Sequence, residues 1–145
     1  MFLYKSDVGM ILTLQPARMS HVLHRSGAAA AKQIADASYG VVMQVDGVIS
    51  GVLPVCVRAA GPHVLGAYSE HNSSDLAHCA VVREMLEMFL SELDGPAASA
   101  QVSSCDVPVF AQCGFVPGSS CAHTTHMDFC MPGNATVPAS ARAPV

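Results

Sequence analysis

Asp46-Gly47, set between Val41-Val42-Met43-Gln44-Val45 and Val48-Ile49-Ser50-Gly51-Val52-Leu53, constrains this chain more than any other feature. Asp-Gly flanked by β-branched residues predicts a tight hairpin, because a type I′ turn needs positive φ at both central positions. An isolated hairpin is only marginally stable, so further strands or a helix must cover its apolar face. The rest of the chain supplies both. Ile11–Leu14 reads as a short strand closed by Pro16, which cannot donate to a ladder. Ala17–Ala37 reads as helix, with Val22, Ala29, Gln33 and Ile34 near helical spacing and Gly27 interrupting them. Pro54 predicts a bulge or an edge position, and His63–Tyr68 a third strand after the turn at Gly61-Pro62.

Residues 74–93 carry the strongest helical pattern. Val82, Met85, Leu86, Phe89 and Leu93 form one apolar stripe, with Arg83, Glu84, Glu87 and Glu92 mainly off it. Ser73 or Ser74 is placed to cap its start, and Gly95-Pro96 to stop it. Ala98–Ser103 follows as a short strand. Val107–Cys113 reads as a two-turn helix with Pro108 in its first turn, ending at Gly114. Phe115-Val116 and Thr124–Cys130 are two last extended pieces. Residues 132–145 have no periodicity and read as a disordered tail.

A chain of 145 residues builds one core, and 51% hydrophobic against 12% charged residues excludes a disordered polyelectrolyte. The net charge of −4 offers no basic patch for phosphates, so nucleic acid is not an expected partner. Apolar runs such as Val41–Val45 are far below the roughly 20 residues of a spanning helix, so no membrane span is expected. The reading is a soluble, cytoplasmic protein. Residues 8–35, with Arg18, Arg25 and Lys32 and no acidic residue, also carry the cationic, alanine-rich pattern of a mitochondrial targeting segment. In a reducing compartment the sequons at Asn72 and Asn134 carry no meaning, and the six cysteines are thiols rather than disulfides.

Cys105, Cys113, Cys121, His123, His126 and Cys130 supply the ligand types that zinc takes. Their spacing lacks the close Cys-x-x-Cys pairs of structural sites, and burial of small apolar thiols explains the count more simply. No metal is expected. No phosphate loop or dinucleotide fingerprint is present, and no local motif selects a Cys–His catalytic pair.

In its order of elements the chain resembles the GNAT superfamily of acyl-CoA-dependent N-acetyltransferases. Leu12-Thr13-Leu14-Gln15-Pro16-Ala17-Arg18 looks like the family's opening strand and turn. Val45-Asp46-Gly47-Val48-Ile49-Ser50-Gly51-Val52 looks like its β2–β3 hairpin. Val109-Phe110-Ala111-Gln112-Cys113-Gly114-Phe115-Val116-Pro117 looks like its late helix and Gly-Phe strand. The resemblance implies a single α/β (α+β) domain over residues 1–131. Its features are a mixed central sheet with a β-hairpin, one long helix and a short late helix.

The resemblance also implies acetyl-CoA as cofactor and a small-molecule or protein amine as acceptor. The pyrophosphate would lie on backbone amides near Ser73, Ser74 and Asp75, and the pantetheine arm between the strands around Val64–Tyr68 and Ala98–Ser103. Glu70 or His71 would take the amine's proton. Where the family has a Gln/Arg-x-x-Gly-x-Gly/Ala loop, this chain has Ser69-Glu70-His71-Asn72-Ser73-Ser74-Asp75, without glycine and with two acids. Where the family often has an acid tyrosine, it has Phe110, which has no proton to give. These two differences imply weakened binding and turnover, or a non-catalytic interaction subunit on the same fold. A Cys/His metal-stabilised domain is the third alternative.

Overall fold

The computed structural model describes residues 6–11, 22, 30–45, 48–72, 75–93, 95–121 and 123–130. Eight strands form one sheet: β1 (Ser6–Ile11), β2 (Tyr39–Val45), β3 (Val48–Arg58), β4 (Gly61–Val64), β5 (Tyr68–Ser69), β6 (Ala97–Ser103), β7 (Val116–Cys121) and β8 (Thr124–Cys130). They lie in the order β1-β2-β3-β4-β6-β8-β7, with β5 beside β3. Residue 22 and residues 30–36 (α1) are helical, and α2 (Leu76–Ser91) and α3 (Val107–Gln112) complete the described helices.

The hairpin forms as its sequence demands. Val45 pairs with Val48, and the ladder runs on to Tyr39↔Val55. Its turn residues, Asp46 and Gly47, lie outside the described residues, as do Leu12–Leu14 of the expected first strand. The first described strand, Ser6–Ile11, meets the expected one only at Ile11 and pairs antiparallel with β2. The β2–β3 register shifts between Met43 and Gln44, so Ser50 is an extra residue on β3. That shift puts Ile49 and Val52 on one face with Val42, where Val22 and Ile34 cover them.

The opposite face carries the main core. Val82, Met85, Leu86 and Phe89 of α2 are almost completely buried against it, and Val109 and Phe110 of α3 extend the cover. Gly51 allows α2 to come close, since a Cβ there would stand 2.6 Å from Val81 Cγ1. Gly114 ends α3 with φ +106, a conformation that side chains disfavour. Two helix boundaries depart from expectation. The N-cap of α2 is Asp75 rather than a serine, and it makes no side-chain cap bond. Its end comes at Ser91, ahead of Gly95-Pro96, because the Glu92 N–H closes the last turn onto Met88 and Phe89 carbonyls.

The expected strand His63–Tyr68 is broken in two, and the break shapes the sheet. Val55↔Val64 and Val52↔Tyr68 leave Leu53 and Pro54 on β3 facing Leu65, Gly66 and Ala67, a bulge of one residue. Pro54 explains its place. Along an antiparallel strand a residue's N–H and C=O point the same way, and the Pro54 carbonyl accepts the Leu65 N–H. Proline's missing donor therefore falls on the side where the neighbour bulges away. Proline here marks a bulge in a central strand, not an edge.

Candidate functional site

Among the described residues the one parallel pairing joins β4 to β6, through His63↔Ser99 and Val64↔Ala100. Past that point β6 continues to Ser103 against β8, while the other strand turns off through the bulge to rejoin β3. A wedge opens between residues 65–69 and 101–103. Gly66 and Ala67 are buried at its apex, and their backbone N–H groups find no acceptor among the described residues. Buried amides are nearly always paired, so two together mark a place prepared for a carbonyl or an anion.

At the mouth of the wedge stands the start of α2. The Asp75 N–H is taken by the Asn72 carbonyl, and the His78 and Cys79 N–H groups by the Asp75 carbonyl. Leu76 and Ala77 keep N–H groups without acceptors among the described residues. Glu70 and His71 form the bend between β5 and α2 at this mouth, with the Glu70 N–H held by the Ser50 carbonyl. Ser73 and Ser74 lie outside the described residues. Arg83, the cation nearest in sequence, donates to Gln112 on α3.

A buried polar chain crosses beneath the wedge, with no local motif to announce it. Ser69 faces α2, where its hydroxyl lies 2.7 Å from His78 Nδ1. His78 Nε2 lies 2.8 Å from Asp106 Oδ1, and all three residues are almost fully buried. With Asp106 ionised, Nε2–H donates to the carboxylate and the Ser69 hydroxyl donates to Nδ1, while Ser69 accepts the His71 N–H at 3.0 Å. Each member comes from a different element, so no local spacing could reveal the set. On the other side of the sheet, Tyr68 donates its hydroxyl to Gln33 of α1. Burial, and then the charge of Asp106, push the Tyr68 phenol up to about 12.

Phe110 occupies the position the sequence singled out for a proton donor. It is fully buried and packs edge-on against Phe115, with ring centroids 5.3 Å apart. Among the described residues no three His, Cys, Asp or Glu side chains group as a metal site. The expectation of buried thiols fails: Cys105, Cys121 and Cys130 are exposed, because each sits in a turn or on an outward-facing strand position, and Cys56, Cys79 and Cys113 are only half-buried. A cavity of about 400 Å³ lined by Tyr39, Arg58, Pro62, Leu93 and Pro96 lies at the opposite end of β4 and β6, away from the wedge. No described helix is long and apolar enough to cross a membrane.

No protein-family model matches the sequence, and no curated protein matches it. Solved structures do match the fold. The ribosomal-protein-S18-alanine N-acetyltransferase of Escherichia coli is 11% identical, with a TM-score of 0.66 over 88% of this chain and 94% of that one. A GNAT-family acetyltransferase of Bacillus cereus is 13% identical, with a TM-score of 0.59 over 86% and 95%. The Campylobacter jejuni N-acetyltransferase PseH, solved with acetyl coenzyme A, is 11% identical, with a TM-score of 0.53 over 87% and 99%.

Proposed function

On a GNAT-like fold, we propose that this chain is an N-acyltransferase that moves an acyl group from acyl-CoA to an amine, with the wedge between β5 and β6 as the cofactor's seat. The observation that carries this reading is the pair of N–H groups of the buried Gly66 and Ala67 at the apex, which have no acceptor among the described residues. They are suited to the thioester carbonyl, whose oxygen gains negative charge as the amine attacks. The pyrophosphate would rest at the mouth, on the backbone of residues 73–75 and the amides of Leu76 and Ala77, at the positive end of α2. The acylated arm would run between mouth and apex. The sequence offers Glu70 and His71, on the β5 side, to take the amine's proton.

The seat has weaknesses that set its strength. No glycine lets the backbone of 69–75 close around a phosphate, and Glu70 and Asp75 place like charge beside one. With Phe110 in the core, the departing thiolate must take its proton from water or another side chain. Weak acetyl-CoA binding is therefore expected, improving when the acids are neutralised. Calorimetric titration of acetyl-CoA into the native protein, Glu70→Gln and Asp75→Asn measures this directly. Each variant should bind several-fold tighter, as removing a like charge near a helix N-terminus is worth about 0.3–1 kcal/mol. Native binding at micromolar strength with no gain in the variants would discard the repulsion. No binding in any of the three would favour a non-catalytic interaction subunit.

A further inference from the structure

The sheet face opposite α2 carries a second polar group, where His63, Ser99, Gln101, His126 and Asp128 alternate with the buried Val64, Ala98, Ala100, Met127 and Phe129. His126 and Asp128, two apart on β8, share that face, and His126 Nε2 lies 3.1 Å from Asp128 Oδ1. A carboxylate only accepts, so Nε2–H donates to it and Nδ1 keeps its lone pair. The imidazole is 38% exposed and Asp128 64%.

The ring leans over β6 toward β4. His63 on β4 and His126 on β8 are separated by β6, which puts their backbones about 10 Å apart at the usual strand spacing. Yet their ring centroids are 6.1 Å apart and nearly parallel, so both side chains reach over β6 toward one another. His126 pairs with Gln101, one residue past the last β4–β6 rung at Val64↔Ala100. The residue is therefore level with the wedge apex, one strand beyond β6, with its side chain on the face away from α2. Glu70 lies six residues beyond Val64, on the order of 15–20 Å along an extended chain, at the mouth.

We propose that His126, oriented by Asp128, is the general base that takes the proton of the acceptor amine. The proposal rests on the acyltransferase reading above and assigns to β8 the role that sequence alone offered to Glu70 or His71. The amine nitrogen attacks the thioester carbon, the new C–N bond forms as the C–S bond breaks, and the nitrogen's proton passes to His126 Nδ1. Coenzyme A leaves as a thiolate that is protonated by water. The groups facing His126 suit the role. Asp128 steadies the imidazolium that forms, and Ser99 and Gln101 on β6 and Gly118 on β7 are uncharged. His63, held 2.6 Å from Ser99 Oγ, adds no competing charge near neutrality, because burial, then Arg58 and His126, bring it down to about 4.

The test uses the full chain with acetyl-CoA and three amines: a peptide with a free N-terminus, an N-blocked peptide with one lysine, and a weakly basic fluoroalkylamine. Thiol release gives turnover and calorimetry gives the acetyl-CoA Kd. In His126→Gln, kcat/KM should fall about 10²–10⁴-fold, the usual contribution of a general base, with the Kd unchanged. The acid limb of the pH profile should vanish, because the group whose protonation stops the reaction is gone. The loss should shrink for the fluoroalkylamine, which gives up its proton readily. Asp128→Asn should show a smaller loss. A His126→Gln variant within about threefold of native turnover, a modest fraction of that contribution, overturns the assignment and leaves the acyltransferase reading standing. A drop in kcat/KM matched by a drop in acetyl-CoA affinity also overturns it. Native protein that transfers to none of the amines defeats the acyltransferase reading itself.

Discussion

Replacing His78 with leucine should be among the most damaging single changes in this chain. The substitution leaves Asp106 as a buried carboxylate whose remaining partner among the described residues is the Ser103 hydroxyl at 3.4 Å. Removing one member of a buried ionic or hydrogen-bonded pair typically costs about 3–5 kcal/mol, since the survivor keeps its desolvation penalty. Against a total stability of about 5–15 kcal/mol that is a large share. With a urea slope of about 2 kcal/mol/M the unfolding midpoint should fall by about 2 M. The double variant His78→Leu/Asp106→Leu is the sharper measurement. Asp106 is the N-cap residue of α3 but makes no side-chain cap bond, so deleting its carboxylate removes no cap. With both polar groups gone the double variant should recover most of the loss, lying within about 1.5 kcal/mol of native. Urea melts of the native protein, both single variants and the double variant complete the cycle. A single variant costing under about 1 kcal/mol, or a double variant costing the sum of the singles, would refute the view that an orphaned charge dominates.

Gly51→Ala should destabilise the fold by about 1–3 kcal/mol in the same assay, because the new methyl meets Val81 Cγ1 at 2.6 Å and a β-branched helical side chain has little room to turn. Adding Val81→Ala should restore part of that loss; no restoration would mean the clash lies elsewhere. His63 should make the protein acid-sensitive. Its folded value is about 4 against an ordinary 6.5, so the unfolded chain binds its proton first and stability falls as the pH drops from about 7 toward 4. Discounted for solvent screening the loss attributable to this group is about 1–2 kcal/mol, and the difference between native and His63→Gln midpoints across that range measures it.

Much of the fold was legible because it follows local rules. The Asp-Gly hairpin, the stripe Val82-Met85-Leu86-Phe89 and the Pro108–Gly114 helix each depend on residues close in sequence, and each formed. The break of His63–Tyr68 was half legible. Pro54 announced a bulge, but only the pairing of β3 with its neighbour shows that the bulge lies on the opposite strand. The site was far less legible. Ser69, His78 and Asp106 come from a strand, a helix and a turn, and nothing in their spacing of nine and 28 residues joins them. His126 drew notice as a metal ligand, when its informative neighbour was Asp128, on the same face of one strand.

The two-rung pairing of His63↔Ser99 and Val64↔Ala100 has a mechanical consequence. On one side lie β1 to β5, each strand hydrogen-bonded to a near neighbour in the chain. On the other lie β6, β7 and β8, likewise stitched together locally. The sheet is thus two self-contained panels meeting at a short seam, with α2 laid across the back. Rupture should begin at that seam, since fewer backbone bonds hold it than any full ladder, and amide exchange should be faster at residues 63–67 than along β2 or β8. A molecule lodged in the wedge would touch both panels. At a concentration 100 times its Kd it would add about 2.7 kcal/mol to the folded state, fastening the sheet at its weakest line.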